Sequence, residues 1–148
     1  MHNDFYCTEI GFGTPEFDEA VKLRYLVLRK PLNLEFDARD IAAEYNSYHI
    51  GCFTNLGELL AVLTLKPLEN QCIKMRQVAV DPAYQSKGLG SFLVQESERF
   101  AIEHGYIRIE LNARDTAIEF YRKLGYISSG DIFKEVGIDH IFMTKPLV

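Results

Sequence analysis

The chain has 148 residues, 47% hydrophobic and 12% aromatic, which suits one domain (residues 1–148) with one sizeable core. Its net charge is −5 and its sixteen Lys and Arg residues are scattered, which argues against nucleic acid as the main partner and would suit a positively charged small molecule. Cys7, Cys52 and Cys72 are odd in number and lack C-x-x-C spacing, so each reads as a small buried hydrophobe, with no metal site expected.

The N-terminal MHNDFYCTEIGFGTPEF has neither the basic start nor the long apolar core of a signal peptide. Its residues 3–10 predict a strand. Thr14-Pro15-Glu16 is a helix start, with Thr as N-cap and Pro at the first helical position, and the apolar spacing carries that helix to about Arg29. Pro31 and Asn33 break it, and ARDIAAEY predicts a short helix running into a polar turn. YHIGCF and LLAVLTL predict strands around the turn Asn55-Leu56-Gly57-Glu58. LLAVLTL is also the longest strong apolar run and is too short to span a bilayer. These features predict a cytoplasmic protein without a membrane partner.

QCIKMRQVAV, after the Pro67 to Asn70 turn, predicts a third strand of an antiparallel meander. From Gly88 the period becomes helical, with Leu89, Phe92, Leu93, Phe100 and Ala101 on one face. His104-Gly105 closes this helix through a left-handed glycine cap. IRIELN predicts a strand, DTAIEFYRKLGY a helix and its exit, Ser128 to Val136 a loop, and GIDHIFMTKPL a last strand. The order is mixed α/β with a strand-helix-strand crossover beginning at Val78.

VAVDPAYQSKGLGSFLVQ puts two glycines where a strand turns into a helix. Backbone N–H groups there approach a ligand closely, and the first helical turn offers unpaired donors, so such a corner binds anions. A P-loop would need Gly-Lys-Ser/Thr, whereas Lys87 precedes Gly88. A dinucleotide fingerprint would need glycine at position 93, which is Leu93.

Gln85-x-x-Gly88-x-Gly90 after an apolar strand resembles the coenzyme A pyrophosphate loop of the GNAT N-acetyltransferase family. Phe120-Tyr121-Arg122-Lys123-Leu124-Gly125-Tyr126 resembles the family's second signature, and the two together cover roughly residues 78–126. A bare strand-to-helix turn would leave the second signature unaccounted for. The resemblance implies a mixed, mostly antiparallel α/β (α+β) sheet of six to seven strands, flanked by about four helices, with a splayed central strand pair.

It also implies acetyl-CoA as cosubstrate. Backbone groups of Val78, Ala79 and Val80 would hold the pantetheine arm. The N–H groups around Lys87, Gly88, Leu89, Gly90 and Ser91 would hold the pyrophosphate, with Gln85 and Lys87 adding side-chain donors. Asn112 would either face the coenzyme or cap the next turn. Tyr121 would protonate the departing thiolate, the alternative being a core aromatic beside Phe120 and Tyr126.

The chemistry implied is direct attack of an amine on the thioester, with a backbone N–H near Val78 stabilising the oxyanion. Many relatives carry a Glu on the strand entering the loop; here that strand reads Lys74-Met75-Arg76-Gln77. A water relay helped by Glu44, Glu110 or His140 would replace it, although His140, and His49 still more, read first as residues that satisfy hydrogen bonds in the sheet. Asp37, Asp40 and Glu44 predict either an acidic rim or a solvated helix face.

The expected function is an N-acetyltransferase acting on a small-molecule or peptide amine; the resemblance allows a homodimer, which is common among relatives, and the sequence itself does not fix the assembly. A non-catalytic acyl-CoA-binding module, or an acyltransferase with another acyl chain or acceptor, are the competing readings.

Overall fold

The computed structural model describes residues 4–147. In chain order its strands are β1 (Phe5–Ile10), β2 (Tyr48–Thr54), β3 (Leu59–Pro67), β4 (Cys72–Val80), β5 (Arg108–Arg114), β6 (Ile127–Glu135) and β7 (Ile138–Pro146). The α-helices are α1 (Pro15–Arg24), α2 (Ala38–Ala42), α3 (Leu89–Glu103) and α4 (Ile118–Lys123). One sheet runs β1-β2-β3-β4-β5-β7-β6, antiparallel at every step except β4–β5. That is the mixed, mostly antiparallel α/β architecture expected from the resemblance. Asn3, within the first predicted strand, lies outside the described residues.

Local chemistry explains the helix boundaries. Thr14 Oγ1 accepts from the Phe17 N–H at 3.2 Å, and Pro15 opens α1 where no amide hydrogen is needed. After Arg24 the helix widens into a π turn over Tyr25–Arg29, then tightens over Lys30–Leu32 and stops at Asn33, which is left-handed at φ 58°. The segment thus reaches Arg29 as predicted, but not as a regular α-helix. Wide turns of this kind often mark functional segments.

The predicted loop Ser128 to Val136 is a correction: its residues up to Glu135 belong to β6. As the outermost strand β6 is exposed along almost its whole length, so its sequence shows no alternation of buried and exposed residues that would have revealed it.

The sheet buries two separate faces. Leu89, Leu93, Val94 and Ala101 of α3 pack with Ile73, Met75, Ile109, Leu111 and Ala113 on one side. Phe17, Ala20 and Leu23 of α1 pack with Val62 and Ala79 on the other. Met75 and Ala79 are four residues apart on β4 and, by simple alternation, belong on the same face. They lie on opposite faces because β4 contains a bulge. Val62 pairs with Ala79 and Thr64 with Arg76, so β4 carries one more residue than β3 between those pairs. Gln77 sits in this bulge with φ 56°.

A buried polar cluster ties the helices to the sheet. The Tyr126 hydroxyl donates to Glu98 Oε2 at 2.8 Å, while Lys145 Nζ donates to Glu98 Oε1 at 2.9 Å and to the Leu124 carbonyl at 2.7 Å. Gly125 sits at φ 98°, and an added Cβ would lie 3.3 Å from Lys145 Cε, so the lysine would have to shift.

Burial, and then the Glu98 carboxylate, push the Tyr126 phenol well above its ordinary value, and burial alone does the same to Tyr121. Both stay protonated in the folded chain while the unfolded chain ionises near pH 10. Their stabilising effect is therefore complete below about pH 10 and declines as pH rises above it. We expect urea midpoints to fall between about pH 9 and 11, with a shallower fall in Tyr126→Phe. Equal slopes in the two proteins would exclude this linkage.

Candidate active site

β4 and β5 pair only at Cys72–Arg108, Ile73–Ile109 and Lys74–Glu110. Both strands continue beyond those pairs without bonding to each other, and a cleft of about 730 Å³ opens between them. The bulge at Gln77 lies on one wall. The ladder leaves the extra residue of a bulge unpaired, so backbone amides there are available to something in the gap.

The turn after β4 is organised by its own side chains. Asp81 Oδ1 accepts from the Ala83 N–H at 2.9 Å, and the Gln85 amide donates to the Val80 carbonyl at 3.0 Å, fastening the loop to the end of the strand. Gln85 is thus engaged within the protein, which differs from a side chain reserved for phosphate. Lys87 is exposed, its ammonium 5.7 Å from the centre of the Tyr84 ring, and is not part of the cleft wall.

Gly88 caps α3 from the left-handed region at φ 82°, with nothing within 4 Å of an added Cβ. Gly90 has ordinary backbone geometry, but a Cβ there would stand 3.4 Å from the Phe120 ring and 3.7 Å from Val80, inside the cleft. The two glycines therefore serve different ends, conformation and space. We expect Gly88→Ala to lose about 1–2 kcal/mol in urea denaturation through backbone strain, and Gly90→Ala to remain near the parent stability. A Gly88→Ala protein as stable as the parent would contradict the strained cap.

Of the residues predicted for the site, Val78, Val80, Gln85, Gly88, Gly90, Ser91, Asn112 and Tyr121 line the cleft. Ala79 is buried against α1, and Leu89 points into the core with α3; neither lines the cleft. Ile109, Leu111 and Ala113 face α3, so Asn112 faces the opposite side with Glu110 and Arg114.

Tyr121 is 7% exposed and packs on Phe120 and Tyr126 with ring centres 5.0 and 5.6 Å away. The last turn of α4 holds it in place: the N–H groups of Leu124 and Tyr126 both donate to its carbonyl. With its ionisation pushed upward by burial, this phenol is a proton donor across the neutral range.

The proposed bases separate. Glu44 is buried, gripped by Arg24 in a two-pronged ion pair at 2.8 and 2.7 Å, and belongs neither to a rim nor to the cleft. Asp37 caps α2 and pairs with Arg39. Glu110 accepts from the Cys72 thiol at 3.5 Å where the two strands still pair, away from the cleft wall. His49 bridges Thr64 and the Glu44 carbonyl, and burial lowers its basicity.

His140 does line the cleft, with Nδ1 2.8 Å from the Ile138 carbonyl and Nε2 3.7 Å from Glu135 Oε2. In the neutral ring the proton belongs on Nδ1, facing that carbonyl, which leaves the Nε2 lone pair free.

Among the residues of this wall that sequence reasoning passed over are Gln77, Arg29, Arg76 and Arg114. For Gln77 a signal existed, since the apolar positions 73 and 75 are followed by 78 and 80, a step of three that marks a bulge. The arginines come from three distant segments and only the topology assembles them.

The sequence profile of the Acetyltransferase (GNAT) family matches residues 16–126. A provisionally assigned acetyltransferase of Bacillus subtilis (strain 168) is 35% identical over 72 residues, which are 49% of either chain; the match spans about half the length of that relative. A provisionally assigned N-acetyltransferase structure from Lactobacillus plantarum superposes with a TM-score of 0.87 at 22% identity, covering 99% of this chain and 100% of its own. An aminoglycoside 6'-N-acetyltransferase complexed with coenzyme A gives 0.79 at 16% identity, covering 97% of each chain.

Proposed function

Because the chain belongs to the GNAT family of acetyltransferases, we propose that it moves an acetyl group from acetyl-CoA directly to an amine in the cleft between β4 and β5. The observation that carries this reading is the convergence of a bulged strand end, a glycine-capped helix and a buried tyrosine on one opening.

The residues divide the work by position. Peptide groups of Val78 to Val80 hold the pantetheine arm as an added strand would, and the amides from Lys87 to Ser91 at the start of α3 hold the pyrophosphate. The bulge presents a backbone amide to the carbonyl oxygen of the thioester, where negative charge develops as the amine attacks. Tyr121 donates its proton to the sulfur as the C–S bond breaks. His140, through its free Nε2, takes the proton that the amine loses, directly or through water.

Thiol release from acetyl-CoA across a panel of amines, amino acids, polyamines and peptide N-termini tests the reading. Acceptor-dependent release supports it. Tight acetyl-CoA binding without release across the whole panel would replace it with a coenzyme-binding module, and no binding of any coenzyme A thioester would remove it.

A further inference from the structure

The cleft wall that faces away from α3 is cationic, in a protein whose net charge is −5. Ile73 and Met75 face α3, so Lys74 and Arg76 project to the other side, joined there by Arg114 of β5. Arg29 reaches the same space from the π turn that follows α1. Glu135 is the one carboxylate lining the cleft among the described residues, while Glu110, on the same face beside Lys74, lies where the two strands still pair.

None of Arg29, Arg76 and Arg114 forms an ion pair among the described residues, although all three are partly buried. Arg29 stacks over Phe36 with its guanidinium carbon 4.7 Å from the ring centre, and Arg114 donates to the Leu28 carbonyl at 3.5 Å. Like charges held together and partly desolvated are costly unless an anion joins them. Burial first, and then the charges of Arg114, Arg24 and Arg76, make the Arg29 guanidinium a stronger acid than usual, with Glu135 opposing them. Beside these cations Gln77 also lines the cleft, and its Oε1 is a buried acceptor without a hydrogen-bond partner.

We infer that the acceptor is an amine that carries a carboxylate, the carboxylate docking on Arg29, Arg76 and Arg114 with the amine turned toward Gln77 and the bulge of β4. This rests on the acetyl-transfer reading above and names its substrate class. Arginine suits the task because its planar fork meets both oxygens of a carboxylate. The same cations disfavour the ammonium form of an amine held near them, which supplies neutral nucleophile on a strand that lacks a carboxylate base.

Two measurements test the inference. Amino acids are compared with their carboxamides as acceptors, in the parent and in Arg76→Gln and Arg114→Gln. The free acids should be preferred about tenfold or more, and each substitution should raise acceptor KM about tenfold while the KM for acetyl-CoA stays within about twofold.

Independently of turnover, succinate should bind the parent in calorimetry and bind both variants more weakly, with inorganic phosphate the weaker ligand throughout. Equal use of acids and carboxamides, failure of succinate to bind, or tighter binding of phosphate than of succinate would each overturn the carboxylate assignment. Failure of acetyl-CoA to bind would overturn the transfer reading instead, and the succinate titration would still decide this one. Circular dichroism of both variants separates a lost site from a lost fold.

Discussion

Replacing Tyr121 by phenylalanine is expected to lower kcat about a hundredfold or more while acetyl-CoA affinity stays within about twofold. The substitution removes one oxygen from a ring that is otherwise held by Phe120 and Tyr126, so packing survives. What is lost is a proton source beside the leaving sulfur. Because burial raises the ionisation of this phenol, the parent should show no loss of rate from its deprotonation below about pH 10. In the variant that proton must come from solvent. A variant that keeps the parental kcat would show that sulfur leaves without help from Tyr121.

Glu44→Ala should cost about 3–5 kcal/mol of stability, as much as truncating a large core side chain. Arg24 is only 1% exposed, and Glu44 supplies two hydrogen bonds to it. Its Nε already lacks a partner, and its remaining support is the Phe36 ring at 5.0 Å. Removing the carboxylate strands a cation in the interior, whereas replacing both partners, as in Arg24→Met with Glu44→Leu, should be far milder. Chemical denaturation of the single and double variants checks this. If Glu44→Ala unfolds at the parental midpoint, the pair contributes nothing net. The π turn bearing Arg29 follows Arg24 directly, so this pair also anchors one wall of the cleft.

The parts of the site legible in the sequence are those written in contiguous residues. Gly88, Gly90 and the Phe120 to Tyr126 run encode a turn, a helix start and a helix exit, each with a local physical cause. The splayed β4–β5 pair came with the family resemblance and is found in the structure. Glu44 read as part of a solvated acidic face because the residue that buries it, Arg24, lies twenty positions earlier on another helix. The cationic wall was invisible for the same reason: Arg29, Arg76 and Arg114 are ordinary surface residues until the sheet order sets their segments side by side. β6 escaped because an outermost strand with both faces in solvent has no amphipathic period to display.

That outermost strand has a consequence for the purified protein at high concentration. β6 ends the sheet with a free row of peptide groups, and Ile127 and Ile132 lie exposed beside them. Such a border invites neighbouring molecules to extend the ladder. The break in register between Ser129 and Phe133 and the charges of Asp131 and Lys134 interrupt it midway. Charge and broken register along these nine residues thus guard the margin at which the sheet is open to extension.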